Sequence, residues 1–136
     1  MAAVSFPTIA PSSRHYAPGS FPQSEFESLN GSKTRIRYGN KRVNATLSLG
    51  FSNITDADAG LILTNYESVN SDWDYVTFSS TNGLQGLTST SSTLFSHMAE
   101  SASGLKWRYS APPQVTSTFK GRNNVSCSFV ACLDAP

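Results

Sequence analysis

Charge is scarce in this sequence. Lys, Arg, Asp and Glu make up 14% of its 136 residues, against a usual level of about 25%. Ten basic residues nearly balance nine acidic ones, for a net charge of +1. That balance gives no electrostatic footprint for a nucleic acid or an anionic membrane. No apolar run approaches the roughly 20 residues of a membrane span. The first residues lack the basic, apolar and small-residue order of a secretory leader, so Asn-x-Ser/Thr tripeptides such as those at Asn44, Asn53 and Asn124 carry no expectation of glycosylation.

Cysteine and histidine are equally sparse. Cys127 and Cys132 are separated by an odd number of positions, which puts them on opposite faces of a continuous strand. They are expected to be reduced thiols that do not pair with each other. Two histidines, His15 and His97, give little material for a base or a metal site. His15 falls in a proline-rich stretch, a poor platform for preorganised chemistry. No GxSxG elbow, P-loop, HExxH or paired CxxC occurs. Asp56, Asp58, Asp72 and Asp74 read as caps and turns. A calcium site at Asp72-Trp73-Asp74 would need six to eight oxygens, far more than this triplet supplies. The expectation is a non-enzymatic protein with no catalytic residues, no cofactor and no metal.

What the sequence does hold is Ser, Thr and Asn in quantity, which suit strands and turns better than surface helices. Its length suits one domain able to bury its own core. Residues 1–22 read as an extended arm, because Pro7, Pro11, Pro18 and Pro22 interrupt any regular element. Residues 23–136 read as a single β-rich domain. Phe6, Ile9, Tyr16 and Phe21 are spaced along the arm, and leaving them in water is costly. They are expected to anchor the arm across its own domain or across a neighbour, with a neighbouring subunit or partner protein as the favoured acceptor.

Within the domain, residues 24–29 and 33–38 read as a hairpin across Asn30-Gly31, and Gly39-Asn40 as a further turn. Ala45, Leu47, Leu49 and Phe51 alternate with small or polar residues, the mark of a half-buried strand. The period then changes. Thr55 and Asp58 resemble a capping box, and Ala59, Ile62, Leu63 and Tyr66 follow at helical spacing, which predicts a helix over 56–68 packed on the sheet. An aromatic strand around Trp73, Tyr75, Val76 and Phe78 comes next. An irregular Ser/Thr/Gly-rich excursion over 79–93 and a short helix over 92–101 follow. Strand signals resume at 106–109, and Pro112-Pro113 is expected to break the chain. A last hairpin pairs 114–119 with 124–133, with Val125, Cys127, Phe129, Ala131 and Leu133 on one face. Trp73 and Trp107 are both expected in the core. Leu47, Leu49, Phe51, Ile62, Tyr66, Phe78, Val125 and Phe129 complete the expected core.

The one local charge feature is Arg35, Arg37, Lys41 and Arg42. It reads either as a solvated sheet face or as a surface that sets register against an acidic partner.

The order of these motifs resembles a known group. A basic strand, Thr34-Arg35-Ile36-Arg37-Tyr38-Gly39-Asn40, is followed by a strand, a helix and an aromatic strand. Trp107-Arg108-Tyr109, Pro112-Pro113 and the closing strand Val125-Ser126-Cys127-Ser128-Phe129 come after. The arrangement, over about residues 22–134, is similar to small minor tail proteins of long-tailed phages of the lambda tail-tip type, and to small structural proteins of cyanobacterial phages. The Ser/Thr-rich excursion makes the stretch from helix to Trp107 longer than in the lambda-type protein.

The resemblance implies a mainly β (α+β) fold, a tail-tube-like β-sandwich or split barrel with one packed helix. It implies a virion structural protein, assembled in the host cytoplasm into a hexameric ring at the distal end of the tail. Tube and tip or baseplate proteins would be its partners, with no nucleic acid and no membrane. A receptor- or carbohydrate-binding module and a head or neck decoration protein are the alternatives.

Overall fold

The computed structural model describes residues 3–20, 23–37, 44–71, 73–79, 81–86, 98 and 105–133. The fold is mainly β. Six strands form one mixed sheet in the order β1 (Ala3–Ser5), β6 (Tyr75–Thr77), β7 (Leu105–Phe119), β8 (Arg122–Leu133), β5 (Thr46–Thr55) and β2 (Ser13–Ala17). β3 (Gln23–Glu27) and β4 (Lys33–Arg37) form a separate two-stranded sheet. The first strand pairs in parallel with β6, and every other pairing is antiparallel.

The large sheet curls. β2 and β7 are separated by β5 and β8, a distance of roughly 14 Å in a flat sheet. Yet the rings of Tyr16 on β2 and Trp107 on β7 stand 6.1 Å apart, edge to face. Phe6, just past β1 on the opposite margin, reaches Phe51 on β5 at 6.0 Å and Phe129 on β8 at 5.9 Å. The result is an open, curled sheet with β1 and β2 as its margins.

The concave side is the core. In β5 the inward residues Leu47, Leu49 and Phe51 are buried, and Thr46, Ser48 and Ser52 face out. β8 repeats the pattern with Val125, Cys127, Phe129 and Ala131 inside. Phe78 and Trp107 are buried beside them, and Phe78 meets Phe129 edge to face at 5.0 Å. Such aromatic pairs add about 0.5–1.5 kcal/mol each beyond burial of area.

The helix α1 runs over Asp56–Ser68, as its period predicts. Thr55 is its N-cap and accepts from the Asp58 N–H at 3.3 Å. Asp56 and Asp58 sit in the first turn, where the helix dipole favours negative charge. Asn70 and Ser71 adopt positive φ, 54° and 69°, and turn the chain away from the helix axis. Ala59 and Ile62 are buried and Tyr66 packs partly against the core. Leu63, expected on the same face, is exposed, and Asn65 is buried in its place. A polar side chain is tolerated there because it is hydrogen-bonded at both ends.

The first 20 residues are not a free arm. β1 and β2 lie in the domain's own sheet, and residues 6–12 pass between its two margins. Phe6 is 1% and Ile9 6% exposed. The prolines confine this segment to short edge strands and connections without preventing it from pairing. Residues 3–20 thus belong to the same sheet as β5, β6, β7 and β8.

Three other expectations change. Pro112-Pro113 does not end a strand. β7 continues through it, with a register shift between the pairs Ala111↔Ser128 and Gln114↔Ser126. Successive N–H groups of a strand point to opposite edges, so one missing donor falls on the side that β6, paired with β7 only at Trp107, does not reach, and the other falls within the register shift against β8. Trp73 is 67% exposed, on the turn between α1 and β6, so only Trp107 is core. The final turn is tighter than expected, because β8 begins at Arg122 and the turn is Lys120-Gly121. The expected helix over 92–101 lies outside the described residues apart from Met98, which is buried. The expected turn at Gly39-Asn40 lies outside them too.

Candidate functional site

The candidate interaction residues divide into groups that the fold keeps apart. Phe6, Ile9 and Tyr16 belong to the inside of the curl. Tyr16 packs against the core and Phe6 sits at the centre of an aromatic cluster with Phe51, Phe78 and Phe129. They anchor the N-terminal segment to its own domain, contrary to the expectation of a neighbouring subunit as acceptor. A curled sheet has a concave side to fill, and these side chains fill it. Phe21, Lys41 and Arg42 lie outside the described residues, as does the side chain of Arg37.

Arg35 is the member of the basic cluster whose surroundings are defined. It stands on β4 opposite Glu25 of β3, and its Nε donates to Glu25 Oε2 at 3.0 Å. Lys33 Nζ is 3.6 Å from Glu25 Oε1. These pairs are largely solvated and contribute little to stability. They do order the hairpin chemically. One face carries Glu25 and Glu27 on β3 against Lys33 and Arg35 on β4. The other carries Ser24 and Phe26 against Ile36 and Thr34. The strand alternation is period two, so acidic positions line β3 and basic positions β4 on one face, and Phe26 and Ile36 share the other face with Ser24 and Thr34.

This hairpin stands apart from the core. Phe26 is 55% and Ile36 44% exposed, and Leu29 at the turn is fully exposed. Gly31 takes φ +88° in the turn that the Asn-Gly signal announces. Ser28 and Ser32 tie the turn by a backbone hydrogen bond of 2.7 Å. A lone two-stranded hairpin is marginal in water, and an exposed apolar row is a recognised mark of a contact surface.

A second surface is the convex side of the large sheet. Ser13 and His15 of β2, Ser48 and Gly50 of β5, and Ser126 and Ser128 of β8 line a shallow groove of about 370 Å³. Gly50 lies at its centre, where a Cβ would meet the Ser13 hydroxyl and oblige it to turn aside. The groove is flat, small-residued and without acidic groups. His15 is on this exposed face, not in a cleft. His97 lies outside the described residues.

Sequence reasoning missed Arg14. It stands on β2, and its guanidinium donates to the backbone carbonyls of Gly83, at 3.1 Å, and Gln85. Burial lowers its pKa from the ordinary arginine value. The side chain ties one margin of the curled sheet to the 79–86 segment. Thr8 strengthens that link by donating to Asn82 Oδ1 at 3.0 Å. A lone arginine in an otherwise uncharged N-terminal stretch was the available signal. Gly83 adopts φ +94°, and a Cβ there would strike the Phe78 ring.

Among the described residues, no group of three His, Cys, Asp or Glu side chains stands together as metal ligands would. None of their helices is long and apolar enough to cross a membrane. No family model matches the chain, and no curated protein and no solved structure matches it either.

Proposed function

We propose that this protein is a virion structural protein, a subunit of a ring at the distal end of a phage tail that joins the tube to the tip or baseplate. The observation that carries the reading is the β3–β4 hairpin, which sets Phe26, Leu29 and Ile36 in water beside two strand edges that no described residue pairs with. A domain that works alone has no use for such a hairpin, whereas a subunit of an assembly does. The order of motifs along the sequence, similar to small minor tail proteins, supplies the specific setting. On this reading the protein is not an enzyme and carries no cofactor. Its partners are further copies of itself and the tube and tip proteins on either side.

Trp73 favours a second reading. Its 67% exposure suits stacking on a sugar ring, as in a receptor- or carbohydrate-binding module. Glycan-array binding that is lost on Trp73→Ala would support that alternative.

Immunogold labelling of intact virions tests the ring reading. Gold at the distal end of the tail is the expected result. Gold on the head or neck would replace it with a decoration role.

A further inference from the structure

We infer that the β3–β4 hairpin is a head-to-tail contact between copies of this chain. The β4 edge of one copy adds in antiparallel fashion to the β3 edge of the next. This rests on the ring reading above and names the contact that would build it. The hairpin has two strands, and among the described residues neither outer edge is paired. Unpaired edges of this kind are templates for strand addition. The occupant is set by charge. β3 carries Glu25 and Glu27, and β4 carries Lys33 and Arg35, all on one face.

An edge-to-edge contact of β3 with β3 would set acid against acid, and β4 with β4 base against base. Both twofold arrangements are therefore disfavoured. The contact of β4 with a neighbour's β3 sets base against acid, and it is heterologous. Heterologous contacts generate rings when the rotation closes. Glu25 already meets Lys33 and Arg35 of its own hairpin. Glu27 has no ion pair among the described residues and is free for a neighbour's basic strand. The opposite face then brings Phe26 and Ile36 of neighbouring hairpins, which alternate with Ser24 and Thr34, out of water together, and their burial supplies the affinity that solvated charges lack.

The test is a full charge swap, Glu25→Lys, Glu27→Lys, Lys33→Glu and Arg35→Glu in one chain. The swap keeps every within-hairpin pair opposite in sign, so the hairpin itself is not penalised. Native mass spectrometry of the swapped chain, alone and mixed with isotope-labelled wild type, reads the outcome. The swapped chain is expected to assemble by itself at wild-type concentrations. Mixed assemblies are expected at least about tenfold below the statistical level, because each mixed junction sets like charges together.

Free mixing of the two chains would overturn the hairpin contact while leaving the ring reading in place. So would a swapped chain that is folded by circular dichroism but fails to assemble. A wild-type chain that stays monomeric at every concentration would overturn both the contact and the ring.

Discussion

The Tyr109 hydroxyl donates to Asn65 Oδ1 at 2.7 Å inside the core, and the Asn65 amide in turn donates to the Ser5 carbonyl at 3.1 Å. One side chain of α1 thus joins β7 to β1 through a buried polar chain. Removing it leaves the buried Tyr109 hydroxyl without a partner, at a cost of about 1–3 kcal/mol, takes a part-buried bond from the Ser5 carbonyl, and opens a space in the core. Asn65→Ala should lower stability by about 2–4 kcal/mol in urea denaturation. Tyr109→Phe should be milder, since the amide then loses one partner and no cavity forms.

The N-terminal segment is integral to the fold. Phe6→Ala should cost about 3–5 kcal/mol, as for other buried phenylalanines, and Phe129→Ala a similar amount. Deleting residues 1–20 exposes the concave aromatic cluster and unpairs both sheet margins. The truncated protein should be unfolded or aggregated by circular dichroism and gel filtration. A cooperative unfolding transition close to that of the full chain would contradict the burial of Phe6 and Ile9.

Arg14 closes the sheet margin against the 79–86 segment through charge-assisted bonds. Arg14→Ala should cost about 1–2 kcal/mol and speed hydrogen exchange in residues 81–86. Arg14→Lys should recover little of this, because a single ammonium cannot reproduce the guanidinium fork.

Stability should fall in alkali before ordinary base denaturation. Burial pushes the Cys127 thiol up to about 12. The Tyr109 hydroxyl is pushed up as well, by burial first and then by Cys127 and Tyr66 nearby. In the unfolded chain the two groups ionise near about 8.5 and 10. Below the lower value both are neutral in both states, and stability is at its full value. Above it the unfolded state releases protons that the native state keeps, so stability declines as pH rises toward about 12. Urea midpoints at a series of pH values should show this decline, and Cys127→Ala should flatten its first part.

Much of the fold was legible because local signals and tertiary packing agreed. The period change after Phe51 located α1, and the Asn30-Gly31 signal located the β3–β4 turn. The alternation in β5 and β8 identified Leu47, Leu49, Phe51, Val125 and Phe129 as core. The failures came where long-range contacts decide. Four prolines made residues 1–22 look like an arm, yet edge strands accept proline and the curl needed Phe6. Leu63 and Asn65 exchanged roles because Asn65 found partners on β7 and β1, which no helical period reveals. Pro112-Pro113 looked like a break because neither the reach of β6 nor the register shift against β8 is written locally. In the candidate site, the charge of Arg35 was visible in the sequence, but its pairing with Glu25 depends on hairpin register. Arg14 was hidden because its acceptors are backbone carbonyls some 70 positions away.

The central claim is that this chain is a ring subunit, and the mass of the purified full-length protein in solution tests it most directly. Native mass spectrometry with electron microscopy of the same sample should find a closed ring, sixfold on the present account. A strictly monomeric chain, or one that stops at a twofold dimer, would contradict it.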